Sequence, residues 1–171
     1  MKQVSELLAL LDLERIEVNL FRGEARTEGA PRVFGGQGMA QALSAARRTV
    51  PEGRFVHSFH GYFVLPGDLE IPIIFQVDRI RDGGSFTTRA VKAIQNGQAI
   101  FHLTASFQLD QDGFDHQVEM PKVLGYDELV SYAGMAKQFG DQLPENIRRI
   151  LNIERPIEFR PVEFLNPFAS D

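Results

Sequence analysis

Three groups of residues have types and spacings suited to chemistry. The first is Phe34-Gly35-Gly36-Gln37-Gly38, at the start of a predicted helix. A helix N-terminus presents unpaired N–H groups and a partial positive charge, which suit a phosphate or a developing oxyanion. Glycine there lets a ligand or another backbone come close. The same glycines would also serve a tight strand-to-helix turn, so a binding and a purely structural reading both stand. The second group is His57-Ser58-Phe59-His60. On a regular strand His57 and His60 point to opposite faces and cannot form one catalytic pair. At most one of them faces a pocket, and a hydrogen-bonded structural histidine is the alternative for each. The third group is Arg79, Arg81 and Arg89 around Asp82-Gly83, with Ser85 and Thr87. It reads as a basic rim for a nucleotide diphosphate, or as a solvated hairpin end that keeps sheet edges from aggregating.

An absence bears on all three. Between Arg32 and Asp68 the only acid is Glu52, and the stretch from Gln37 to Arg48 holds no Asp or Glu. Hydrolysis of an acyl bond needs a group that activates water or attacks the carbonyl. The chain has no cysteine, so a thiol nucleophile is excluded as well. These residues describe a binding architecture without an evident catalyst.

The elements that must position them are legible from periodicity. Ser5 to Leu13 reads as a short leucine-rich helix with Ser5 as its cap, followed by one strand in which Ile16, Val18 and Leu20 alternate with polar residues. Met39, Ala42, Leu43 and Ala46 fall at i, i+3, i+4 and i+7, which predicts a helix from Gly36 to Arg48 with a face of small residues. Strands are expected over 55–65, 69–81 and 99–109, the last with Phe101, Leu103, Ala105 and Phe107 on one side and His102 on the solvated side. Asp82-Gly83 and Asn96-Gly97 predict hairpins with left-handed turn residues. Beyond Gln111 the sequence changes character. Tyr126 to Phe139 and Pro144 to Leu151 read as surface helices, and Pro156 to Phe164 alternates like an edge strand. A long helix packed into the concave face of a curved antiparallel sheet is the hotdog arrangement, an α+β fold.

Length and composition set the outer limits. The 171 residues suit about one domain with a real core. A net charge of −5 argues against nucleic acid as a partner, and four scattered histidines without cysteine argue against a metal site. No apolar run approaches the roughly 18 residues that span a bilayer. The expectation is a cytoplasmic protein, without a cofactor, acting on small molecules or protein partners.

Several motifs, taken in order, carry a resemblance. Leu11-Asp12-Leu13-Glu14-Arg15-Ile16, Asn19-Leu20-Phe21-Arg22-Gly23, Val33-Phe34-Gly35-Gly36-Gln37 and Ala40-Gln41-Ala42-Leu43 are followed by His57-Ser58-Phe59-His60-Gly61-Tyr62-Phe63, Pro66-Gly67-Asp68 and Arg81-Asp82-Gly83-Gly84-Ser85-Phe86. Together they resemble the acyl-CoA thioesterase II family, from about Leu7 to Pro121 and more loosely to Pro161. The resemblance implies a hydrolase that converts acyl-CoA and water to free fatty acid and CoA, in chains that carry two hotdog domains. It implies that residues 1–112 are the first hotdog, and that 113–171 are a linker with the start of a second. The family's catalytic Asp, Ser/Thr and Gln belong to that second hotdog, so the catalytic residues of this chain are unassigned. Substrate contacts are expected from Phe34, Gly35, Gly36, Gln37, His57, His60 and Ser85. Pairing through sheet edges, as a homo-oligomer, is also expected. Two alternatives stand beside this reading. One is a complete single-hotdog thioesterase working as a homodimer, with Gln37, His57 or His60 and a carboxylate such as Asp68. The other is a non-catalytic acyl-CoA-binding module. A hotdog dehydratase also needs an acid from a helix that has none.

Overall fold

The computed structural model describes residues 3–26 and 32–163, which fall into two compact units. Ser5–Gly113 forms the larger unit, and the described residues from Phe114 onward form most of the other. In the larger unit, helix α1 (Val4–Leu11) leads into β1 (Glu14–Glu17) and β2 (Leu20–Gly23), then helix α2 (Gly35–Arg47). Strands β3 (Arg54–Phe63), β4 (Ile73–Asp82), β5 (Phe86–Gln95) and β6 (Gln98–Leu109) complete it. The six strands form one antiparallel sheet in the order β1-β2-β4-β5-β6-β3.

The packing follows from the small face of α2. Ala42, Ala45 and Ala46 are fully buried, so the helix axis can lie close to the sheet. Against it stand Phe75, Val77, Val91, Ala93, Leu103 and Phe107 from alternate positions of β4, β5 and β6. Each large apolar side chain removed from water contributes about 1.5–3 kcal/mol. The opposite edge of the helix is polar and equally committed. Gln41, Ser44 and Arg48 donate to the carbonyls of Leu10, Leu11 and Leu13 at 3.0, 3.0 and 2.6 Å. The Leu10 and Leu11 carbonyls at the end of α1 are thereby satisfied by side chains of α2, and Arg48 just past α2 holds the Leu13 carbonyl. One central helix against one curved sheet is the hotdog arrangement.

Several local expectations change. The single strand expected around Ile16–Leu20 is a hairpin, because the chain turns between β1 and β2 and Glu17 pairs with Leu20. Helix α1 begins at Val4, which puts Ser5 inside its first turn instead of at its cap. The strand expected from Leu69 starts at Ile73. Pro72 has no N–H to give a ladder, and the Ile71 carbonyl is taken by the Gln95 side chain at 2.7 Å. At the β5–β6 turn Asn96 and Gly97 have φ of 50° and 74°, as their sequence predicts. Gly83 is not left-handed; its N–H instead bonds the Phe86 carbonyl at 2.8 Å in a longer loop.

In the second unit, the helix expected over 126–139 splits. A short 3-10 turn at Tyr126–Glu128 precedes helix α3 (Tyr132–Phe139), capped by Ser131. Helix α4 (Glu145–Leu151) follows, and Met135, Ala136 and Leu151 make a small core. Residues 156–163 form no strand: their prolines interrupt a ladder, and the Phe159 carbonyl accepts from the Tyr132 N–H at 3.0 Å. Phe164, the last residue of that expected strand, lies outside the described residues. Arg160 sits 4.0 Å over the Tyr126 ring and donates to the Tyr126 and Leu129 carbonyls at 3.0 and 3.1 Å.

Candidate functional site

A cavity of about 370 Å³ opens where α2 begins. Phe34, Gly35 and Gly38 border it from the helix, and Phe63 to Leu65 from the end of β3. Ile73, Ala93, Ile100 and Phe101 close it from the sheet. The sheet side is built by strand parity. Phe63 pairs with Phe101 on the helix-facing side, their rings 4.8 Å apart. Room for the Phe101 ring exists because residue 61 is glycine, since a Cβ there would stand 2.6 Å from Phe101 Cζ. The segment after β3 is fixed by Gln95. Its amide nitrogen donates to the Asp68 and Ile71 carbonyls at 2.8 and 2.7 Å, and its oxygen accepts from the Asp68 N–H at 2.8 Å. Val33 donates to the Gly67 carbonyl at 3.3 Å, closing the rim.

The cavity wall is apolar, and among the described residues Arg32 is its one charged member. The two glutamines of α2 do not supply a reactive amide. Gln37 is buried and donates to the Glu24 carbonyl at 2.9 Å. Gln41, fully buried, donates to the Leu10 and Glu24 carbonyls at 3.0 and 3.1 Å. The Asp68 carboxylate is exposed and accepts from the Glu70 N–H at 2.9 Å, within its own turn.

Of the residues expected to contact substrate, Phe34 and Gly35 border the cavity, whereas Gln37 turns to the backbone of residue 24. The structure places His57 and His60 elsewhere and on a common side. A β-bulge between Val56 and Ser58 inserts one extra residue and reverses the parity of β3 across it. His60 lies opposite Thr104, and His57 Nε2 is 2.8 Å from Ser106 Oγ. Thr104 and Ser106 alternate with the buried Leu103, Ala105 and Phe107, so both histidines face away from α2 and from the cavity. The opposite-face expectation fails because an insertion of one residue leaves no mark on residue types. Ser85 lies in the β4–β5 loop, at the other end of these strands from Ala93. Gly36 does not border the cavity, and a Cβ on it would meet the Phe34 ring at 2.5 Å.

The arginine rim is also different from its expectation. Arg79 is exposed and donates to Asn19 Oδ1 at 2.9 Å, but Arg89 has no exposed surface at all. Its guanidinium donates to Thr49 Oγ1 and the Thr49 carbonyl at 2.9 Å each, and to Asp82 Oδ1 at 2.6 Å. The Arg81 and Thr88 carbonyls accept from Nη1 at 3.1 and 3.0 Å. The hydrogen bond from Arg89 holds the Asp82 carboxyl below its usual range. This arginine is a brace inside the fold. Gly38 belongs to the first motif but not to the expected substrate contacts, and Phe63, Ile73 and Ala93 carry no sequence signal as cavity residues. The parity of β6 pointed to Phe101, but no sequence signal shows which buried positions border a void.

The family model for the acyl-CoA thioesterase N-terminal domain matches residues 24–108, the span from the end of β2 to the end of β6. The acyl-CoA thioesterase 2 of Haemophilus influenzae is 44% identical over 165 residues, covering 96% of this chain and 58% of the relative. The chain belongs to the acyl-CoA thioesterase II family. The crystal structure of the acyl-CoA thioesterase II TesB2 from Mycobacterium marinum superposes with a TM-score of 0.64 at 46% identity, over 70% of this chain and 44% of that one. A hot dog fold protein of unknown function from Alicyclobacillus acidocaldarius, 20% identical, has a TM-score of 0.62 over 71% of this chain and 47% of that chain, which supports the fold alone. The chain spans about half the length of the curated thioesterases it matches. Among the described residues no helix of this family member is long and apolar enough to cross a membrane.

Proposed function

We propose that residues 5–113 act as the non-catalytic hotdog of an acyl-CoA thioesterase, shaping one wall of an acyl-CoA site while a second hotdog supplies the catalytic groups. The supported reaction is hydrolysis of an acyl-CoA by water to a free fatty acid and CoA. One observation carries the division of labour. Helix α2 has no carboxylate, and both its glutamine amides are spent on backbone carbonyls. A thioester carbonyl beside this helix would meet no base.

The place for the second hotdog is the outer edge of β3. This strand pairs only with β6, so its other edge is unpaired among the described residues. Its helix-facing residues Val56, Phe59 and Phe63 are 40%, 45% and 59% exposed. An apolar edge strand of ten residues is a template for another sheet. In the absence of a second hotdog, the same edge supports self-association of this chain.

Fusing this chain to the remaining segment of the Haemophilus influenzae thioesterase tests the proposal. The fusion is expected to release CoA from dodecanoyl-CoA and this chain alone to stay near the uncatalysed rate. Equal turnover by both would refute the assignment.

A further inference from the structure

We infer that Gly38 keeps the inner part of the cavity open for an unbranched alkyl chain, so that this hotdog binds an acyl tail directly and Gly38 sets how much of it fits. The inference rests on the acyl-CoA reading above and adds a residue and a ligand class to it.

Gly38 lies inside α2 and is buried. Glycine within a helix costs stability relative to alanine, so its presence there calls for a reason. At some glycines of this unit the reason is contact, and at Gly53 and Gly97 it is a left-handed backbone. A Cβ at Gly23 would meet Gln41 Nε2 at 2.7 Å and Leu13 Cδ2 at 2.8 Å. At Gly38 a Cβ would meet nothing within 4 Å, and the backbone has no left-handed φ. Neither packing nor conformation demands glycine, yet the position borders the cavity. What a larger side chain would occupy is the empty space itself.

The chemistry of that space selects its occupant. Gly38 faces a wall that includes Ile73, Ala93, Ile100 and Phe101, with no side-chain donor or acceptor. A sugar, nucleobase or peptide would leave polar groups unpaired there, at a cost in affinity. An alkyl chain has none to leave. At about 30 Å³ per water-sized unit, the cavity's 370 Å³ corresponds to about a dozen methylene-sized groups. Exposed Arg32 on the rim supplies positive charge where the anionic end of such a ligand would emerge.

The test titrates two probes into the chain: dodecyl-CoA, a thioether that cannot be hydrolysed, and dodecanoate. Backbone and methyl chemical shifts are read by NMR alongside affinity, for the wild type, Gly38→Leu and Gly38→Ala. In the wild type, shifts are expected to centre on Gly38, Ile73, Ile100 and Phe101. Gly38→Leu, which fills the gap, is expected to weaken both probes by at least about tenfold, and Gly38→Ala by less. Unchanged affinity in a folded Gly38→Leu variant overturns the inference. Should that variant fail to fold, the wild-type shift map decides alone, and shifts centred elsewhere overturn it. Dodecyl-CoA bound away from the cavity removes this inference and leaves the acyl-CoA reading standing. Dodecanoate in the cavity, with no dodecyl-CoA binding anywhere, upholds the alkyl site and removes the acyl-CoA reading.

Discussion

Arg89 donates twice to Thr49, from Nε to the hydroxyl and from Nη2 to the carbonyl, both at 2.9 Å. A residue in the middle of β5 is thereby tied to the chain just beyond α2, and the same guanidinium reaches Asp82 at the end of β4. The end of the hotdog remote from the cavity is braced by one planar cation. Replacing Arg89 by Met removes every one of these donors and strands several carbonyls. The Asp82 carboxylate is half exposed and can turn to water, so the loss rests on the buried Thr49 acceptors, and we expect the free energy of unfolding to fall by about 2–3 kcal/mol, read from urea titrations. Arg89→Lys should recover only part of it, because an ammonium cannot span the same acceptors. A loss below about 1 kcal/mol in Arg89→Met would contradict the brace.

The same pair gives a pH dependence. Asp82 has a folded-state pKa lowered chiefly by the hydrogen bond from Arg89. Its contribution is therefore fully present above the ordinary carboxyl pKa, and it is lost as pH falls through the lowered folded value. The stability gap between wild type and Asp82→Asn should be widest near neutrality and shrink toward pH 3. Urea midpoints of both proteins at the two pH values check this, and a gap that does not change would speak against it.

Gln41 offers a separate structural test. Its amide satisfies the Leu10 and Glu24 carbonyls from a fully buried position. Gln41→Leu roughly keeps the volume and removes the donor to the Leu10 carbonyl, while the Glu24 carbonyl keeps its bond from Gln37, so a loss of about 1–3 kcal/mol is expected. Thermal unfolding followed by circular dichroism would show it, and a variant as stable as the wild type would mean that water replaces the amide.

The edge of β3 predicts association. Sedimentation of the chain is expected to show dimers or larger species, and Phe59→Lys should shift it toward monomer by placing a charge on the exposed edge strand. A wild-type chain that is monomeric at all accessible concentrations would remove the edge as a docking surface.

Periodicity carried the elements that matter most. The i, i+3, i+4, i+7 small residues located α2, and the alternation around Phe101 to Phe107 located β6 with its buried face. Asn96-Gly97 marked its turn because only a few residues accept left-handed backbone. What stayed hidden depends on three dimensions. The bulge at His57 changes which face a residue occupies without changing composition. Arg89 reads as a surface charge until its acceptors, which come from three separate segments, are brought together. Within the candidate site, the glycines at the start of α2 looked alike in the sequence. Only the space around each separates Gly38, which faces a void, from Gly35, where a Cβ would meet Phe63 at 2.8 Å.

Thiol release from dodecanoyl-CoA by the purified 171-residue chain, measured beside its Asp68→Ala variant, probes the central claim without intermediaries. The account predicts that both proteins stay close to the rate without enzyme, since α2 brings no acid and Asp68 only closes its own turn. Sustained turnover by the wild type, abolished in a folded Asp68→Ala protein, would make this hotdog a catalyst in its own right and contradict the account.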